Sequence, residues 1–162
     1  MTVINNSIQV TDRSSAAQLC LVLFCAAFLI HFVWEMWQIP FFSGMSEANH
    51  WSAVIQCSLA TLGDGVITLI AYGSSAIVTR NAYWLYNRTS RNWTVYLATG
   101  LLITVFLEYL ATDVYGRWQY SDAMPIIPIL NVGLTPLLQW LALPPLALWL
   151  STVFLRGLQK DS

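Results

Sequence analysis

Long apolar runs alternate with short polar connections along this chain, and the runs set the architecture. The first extends from about residue 16 to residue 38 and carries no charge before Glu35. At about 1.5 Å per helical residue, about 20 residues cross the hydrocarbon core of a bilayer, so the run suffices for one span. Pro40 ends it, because a proline pushes the residue before it out of helical conformation. A second run, from about 51 to 79, is broken in charge only by Asp64. A third, from about 93 to 115, is interrupted by Glu108 and Asp113. The last uncharged stretch, Ala123 to Leu155, exceeds one span. Pro125 and Pro128 predict an irregular entry there, followed by a helix from about 131 to 155. Pro136, Pro144 and Pro145 are expected to bend or locally break that helix, which membrane helices tolerate when neighbours satisfy the freed carbonyls. The pattern predicts an all-α, four-helix transmembrane bundle forming a single domain.

Composition sharpens this into an integral membrane protein. The 162 residues are 57% hydrophobic and only 9% charged, against roughly a quarter charged in soluble domains. A net charge of −1 supplies no basic face for nucleic acid, and no nucleic-acid module is present. Cys20, Cys25 and Cys57 lie within apolar runs and read as small core residues, not as a disulfide framework. The polar start of the chain, with Asp12 beside Arg13, lacks the layout of a signal peptide, so the first span is expected to stay in the mature protein.

Orientation follows from the basic residues. Arg13, Arg80, Arg88, Arg91, Arg156 and Lys160 share one side of a four-span chain, and only Arg117 of the seven falls on the other. The positive-inside rule therefore predicts that both termini are cytoplasmic, with a bacterial inner membrane as the expected location. Trp34, Trp37, Trp51 and Trp118 are expected in an outer aromatic belt, with Trp84 and Trp93 on the inner side. The sequons at Asn87 and Asn92 would then face the cytoplasm and carry no meaning.

Candidate chemistry gathers toward the outer half. His31 and Glu35 are four apart and share a helix face with Trp34 and Gln38. Glu108 lies at a similar depth, with Thr104 and Thr112 on its face. Asp64 is deeper, along a face with Gln56, Ala60 and Thr68, where Gly63 and Gly65 would let another helix approach. An ionised Asp at the bilayer centre costs about 2.5–3.5 kcal/mol on insertion scales, so it should face the bundle interior. Gln139 of the last helix can reach the same place.

Three readings stay open. In the first, the groups only pair: Glu35 or Asp113 with Arg117, His31 with Glu108, Asp64 with Gln139. In the second, they line a pocket open to the outer leaflet, with Glu108, His31, Glu35 and Asp64 as acid/base candidates. Arg117, Asp113, Trp34, Tyr115, Trp118 and Gln139 would then bind the ligand. In the third, weaker reading, His31 and Glu35 hold a metal with Glu108 or Asp64; His50 is in a loop and no H-E-x-x-H motif supports it. No nucleophile motif or phosphate-cradling loop appears, and no cofactor is implied.

Glu108-x-x-Ala111, then Gly116-x-Trp118-x-Tyr120, then a proline-rich apolar helix resembles the membrane-embedded carotenoid cyclases and hydratases over about residues 104 to 140. The resemblance implies a bundle that accommodates a long isoprenoid, with Glu108 as the matching acid. The chain departs from that family where Thr135-Pro-Leu-Leu-Gln-Trp140 replaces a Pro-Glu-Glu-type acidic pair, which puts that family's proton-initiated cyclisation in doubt. A lipid- or isoprenoid-handling protein is thus the leading expectation, with a membrane lipid or isoprenoid as partner and a homo-oligomer as one state. A non-enzymatic accessory subunit of a larger membrane complex is the alternative, in which Gly63, Gly65 and Gly100 pack against partners. A small proton-coupled transporter using Asp64 and Glu108 is a further one.

Overall fold

The computed structural model describes residues 15–160, with side chains to residue 159. The N-terminal tail with Asp12 and Arg13 lies outside the described residues, as does the side chain of Lys160. The fold is all-helical, with four helices long and apolar enough to cross a membrane, as an integral membrane protein requires.

Helix α1 spans Ala16–Gln38, capped by Ser15, whose hydroxyl accepts from the Gln18 amide at 3.1 Å. Its buried positions are Leu19, Leu23, Ala27, His31 and Gln38. One stripe therefore begins as packing and ends as chemistry, since residues four apart lie on the same face. A 3-10 turn over Ile39–Phe41 carries Pro40.

Helix α2 spans His50–Thr79, capped by the Asn49 side chain and ended by Arg80 in left-handed conformation at φ 53°. Helix α3 spans Ser90–Tyr109. It begins earlier than the apolar run predicts because Thr89 and Asn92 form a reciprocal capping box, which satisfies amides at a helix start. Beyond Tyr109 the chain widens into a π turn, Leu110–Val114, and the Tyr115 amide bonds to the Leu110 carbonyl at 2.8 Å.

Helix α4 spans Leu134–Lys160 and runs unbroken through Pro144 and Pro145, so the expected local break does not occur. Pro136 sits in the first turn, where a missing N–H costs nothing. Next to the inner prolines, the Tyr96 hydroxyl donates to the Pro144 carbonyl at 3.4 Å. The irregular entry to α4 is a short hairpin, β1 (Ile126–Ile127) antiparallel to β2 (Val132–Gly133), so the helix starts later than the predicted 131.

The helices form a ring in which α1 packs on α2 and α4, and α3 packs on the same two. At the end that carries the α2–α3 connection the core is aromatic and closed. Trp84 is fully buried, stacks on Tyr72 with centroids 4.9 Å apart, and donates to the Tyr72 carbonyl at 3.2 Å. This corrects its expected place in an interfacial belt; Trp37 and Trp51 are exposed, as a belt requires. Arg88 donates to the carbonyls of Leu85 and Leu148 and to Thr152.

At the opposite end the two connections are stitched together. Phe42 and Tyr120 form an antiparallel bridge, and the Ser43 and Ser121 amides donate to Gln119 and Phe41 carbonyls at 2.8 and 3.0 Å. Two glycines expected to serve outside partners are occupied within the chain. The Phe24 ring of α1 lies against Gly65, and the Trp140 ring of α4 lies against Gly100. Gly63 does not admit a helix as expected: a Cβ there would meet nothing within 4 Å.

Candidate functional site

Between the aromatic core and the stitched end lies a cavity of about 410 Å³. Helix α1 supplies Glu35 and Gln38, α2 supplies Asp64 and Gly63, α3 supplies Thr104 and Glu108, and α4 supplies Gln139 and Trp140. Tyr115, Arg117 and Trp118, in the segment after α3, complete the wall. The volume falls within the range of about 300–1,000 Å³ typical of small-molecule pockets.

Gln139 is the hub. Its amide nitrogen lies 2.9 Å from His31 Nδ1, 3.1 Å from Glu35 Oε1 and 3.0 Å from Asp64 Oδ2. An amide nitrogen carries two hydrogens, so donation to the two carboxylates uses both. His31 Nδ1 is 3.2 Å from Asp64 Oδ2, and donation in that direction satisfies the imidazole on that side. Gln38 donates to Glu35 at 2.8 Å and accepts from Trp34 Nε1 at 3.1 Å. Residues of three helices thus share one hydrogen-bond network, because the stripe of α1 turns polar at the depth where α2 and α4 do.

Glu108 stands apart from that network on the α3 wall. Tyr120 O–H donates to its Oε2 at 2.5 Å and Trp118 Nε1 at 3.4 Å. Burial first, then the adjacent Glu108, push the Tyr120 hydroxyl above the ordinary tyrosine range, so it remains a donor over the accessible pH span.

Among the described residues the one contact with ion-pair geometry joins His31 to Asp64, a hydrogen bond that becomes an ion pair only with the imidazole protonated. The expected pairings of Arg117 with Glu35 or Asp113, and of His31 with Glu108, do not form. Arg117 instead lies over the Trp118 ring, 5.8 Å from its centroid. The Asp64–Gln139 pairing does form. No three His, Cys, Asp or Glu side chains among the described residues gather closely enough to hold a metal ion, which goes against the metal reading.

The remaining candidates divide. His31 is fully buried behind Asp64 and Gln139 and does not line the cavity. Trp34 supports Gln38 and also stays off the wall. Asp113 faces a shallower, more open depression with Thr112, Tyr120 and Asn131, and accepts from Asn131 at 3.3 Å. Gln38, Thr104, Tyr120 and Trp140 matter to the site and were not among the predicted site residues. Gln38 was signalled by its spacing from His31 and Glu35, and Tyr120 by its place after Gly116-x-Trp118.

Several buried polar atoms on this side have no partner: His31 Nε2, Thr104 Oγ1 and Trp140 Nε1. Native interiors leave few such atoms, and here Thr104 and Trp140 line the cavity itself. In comparisons with known proteins no family model matches this chain, and neither a curated protein nor a solved structure matches it.

Proposed function

We propose that this chain binds or processes a lipid-like molecule, of acyl or isoprenoid type, in the cavity between its four helices. The observation that carries the reading is one cavity, at the depth of the spans, that joins apolar walls to three carboxyl groups. Leu59, Ile67, Leu107 and Leu110 supply apolar surface, and Glu35, Asp64 and Glu108 supply the polar side. Apolar lining with a few convergent polar groups is the usual makeup of a ligand site.

In this reading Glu108 is the acid/base group, held by Trp118 and Tyr120, and Arg117 lies at the rim where a ligand's polar end would sit. Both tryptophan and tyrosine come from the Gly116-x-Trp118-x-Tyr120 segment on which the resemblance to carotenoid cyclases and hydratases rests. The distribution of arginine and lysine supports cytoplasmic termini in a bacterial inner membrane, with the cavity toward the outer leaflet. The packing of Gly65 and Gly100 inside the chain weighs against the accessory-subunit alternative.

The test is mass spectrometry of protein extracted in mild detergent. Wild type is expected to carry a lipid-like molecule, and Glu108→Gln to lose it while keeping its helix content. Equal retention by the variant removes the proposal. Reporter fusions at residue 85 and at the C-terminus test the orientation, and a translocated reporter at either place overturns it.

A further inference from the structure

The carboxyl groups of Glu35 and Glu108 face the cavity without a cationic partner among the described residues, and that lack says what kind of head it takes. Their hydrogen bonds come from neutral donors: Gln38 and Gln139 for the first, Trp118 and Tyr120 for the second. A carboxylate held at membrane depth without a counter-charge is costly. The single cation on the wall, Arg117, is exposed and stacked on Trp118.

A second observation points to a ligand independently of the acids. Thr104 Oγ1 and Trp140 Nε1 belong to residues only 7% and 1% exposed, both line the cavity, and neither atom has a partner. Leaving a buried donor or acceptor unmade costs about 1–3 kcal/mol. Both atoms lie behind the cavity surface, so a small rotation of either side chain would let a polar group in the cavity remove that cost.

The cavity also has a side entrance. On α2, Gln56, Leu59, Ala60 and Gly63 line it and are nevertheless exposed, and Leu107 of α3 does the same. All five lie inside helices long and apolar enough to cross a membrane, so an opening along this face would give onto the bilayer. The cavity thus opens between α2 and α3, and nothing occupies the space above Gly63.

We infer that the cavity receives the ammonium-bearing head of a membrane lipid, admitted sideways between α2 and α3. The ammonium lies among Glu35, Asp64 and Glu108, the phosphate that adjoins it in an aminophospholipid faces Arg117, and the tails stay in the gap and the bilayer. At about 30 Å³ for a group the size of a water molecule, 410 Å³ holds a head and a short stretch of chain, not two full tails. This rests on the lipid-binding reading above and specifies its ligand class.

The test places the protein in nanodiscs of equal parts phosphatidylethanolamine and phosphatidylglycerol, strips it with detergent, and counts retained lipids by native mass spectrometry. Wild type is expected to retain phosphatidylethanolamine several-fold over phosphatidylglycerol. The double variant Glu35→Gln/Glu108→Gln is expected to lose the preference. Gly63→Phe, which fills the entrance, is expected to lose the retained lipid, and Ala60→Leu serves where that variant does not fold. Retention of phosphatidylglycerol at an equal or greater level overturns the ammonium site but leaves lipid binding standing. An unchanged preference in the double variant does the same, and lipid uptake by both plugged variants equal to wild type overturns the side entrance. Absence of any retained lipid in wild type takes the underlying proposal with it.

Discussion

The two ends of the bundle bury polar groups in opposite ways. Around Trp84, the polar side chains of Tyr72, Ser75, Asn92 and Arg88 bond to backbone carbonyls or to one another, and stacked rings fill the space between them. Around Gln139, side chains bond mainly to side chains across three helices, and open volume remains beside them. Among the described residues four buried side-chain atoms lack a partner, on His31, Thr68, Thr104 and Trp140, and two of these residues, Thr104 and Trp140, line the cavity. Saturated polar groups act as fasteners, whereas these retain hydrogen-bonding capacity for something else. Trp140 marks the border, since it packs on Gly100 in the core and also lines the cavity.

That contrast can be broken from either side. Trp84→Ala should have the largest effect, a loss of about 3–5 kcal/mol as for other buried aromatic truncations; unfolding in detergent measures it, and a small change would mean that the aromatic end does not hold the bundle. Gln139→Leu comes next, because it removes one donor from Glu35 and one from Asp64, which keep only Gln38 and His31. At about 0.5–1.5 kcal/mol for each lost hydrogen bond it should cost about 1–3 kcal/mol in all. The same unfolding measurement checks it, and a Gln139→Leu variant as stable as wild type would show the hub to be dispensable. Gly65→Ala should cost about 1–3 kcal/mol as overpacking, since the added methyl meets the Phe24 ring at 2.6 Å. Its neighbour gives the smallest effect and the opposite sign. Gly63→Ala meets open space and should stabilise by about 0.5–1 kcal/mol, the helix preference of alanine over glycine. If the two glycines respond alike, the cavity beside Gly63 is filled.

Hydropathy made the four spans legible to within about five residues at their ends, because an unbroken apolar run of that length has one use. Helix α1 ends at Gln38 as Pro40 dictates, and α2 begins one residue before its first predicted position. The start of α3 was hidden because its first turn is polar, and its signal was the Thr89-x-x-Asn92 cap, not the run. Sequence spacing also put Glu35 and Glu108 at a similar depth, with Asp64 deeper and Gln139 within reach. Which partners they choose was not legible. Pairing by charge would join Arg117 to an acid, but the turn through Gly116, at φ 55°, and Trp118 places its guanidinium over a ring. Trp84 looked interfacial because it sits in a connection, and only the fold of residues 80–89 back over Tyr72 buries it. The proline pair of α4 looked disruptive because sequence does not reveal whether the remaining turns hold a helix through it.

The bridge between Phe42 and Tyr120 bears on how the molecule is made. Its halves belong to the first and second helical hairpins, so the roof of the cavity cannot close while only α1 and α2 are in place. Until residues near 120 emerge, the edge around Phe42 has no strand beside it, and Gln139 is still absent from between Glu35 and Asp64. The cavity is therefore complete only once the last span, which brings Gln139 and Trp140, is in place.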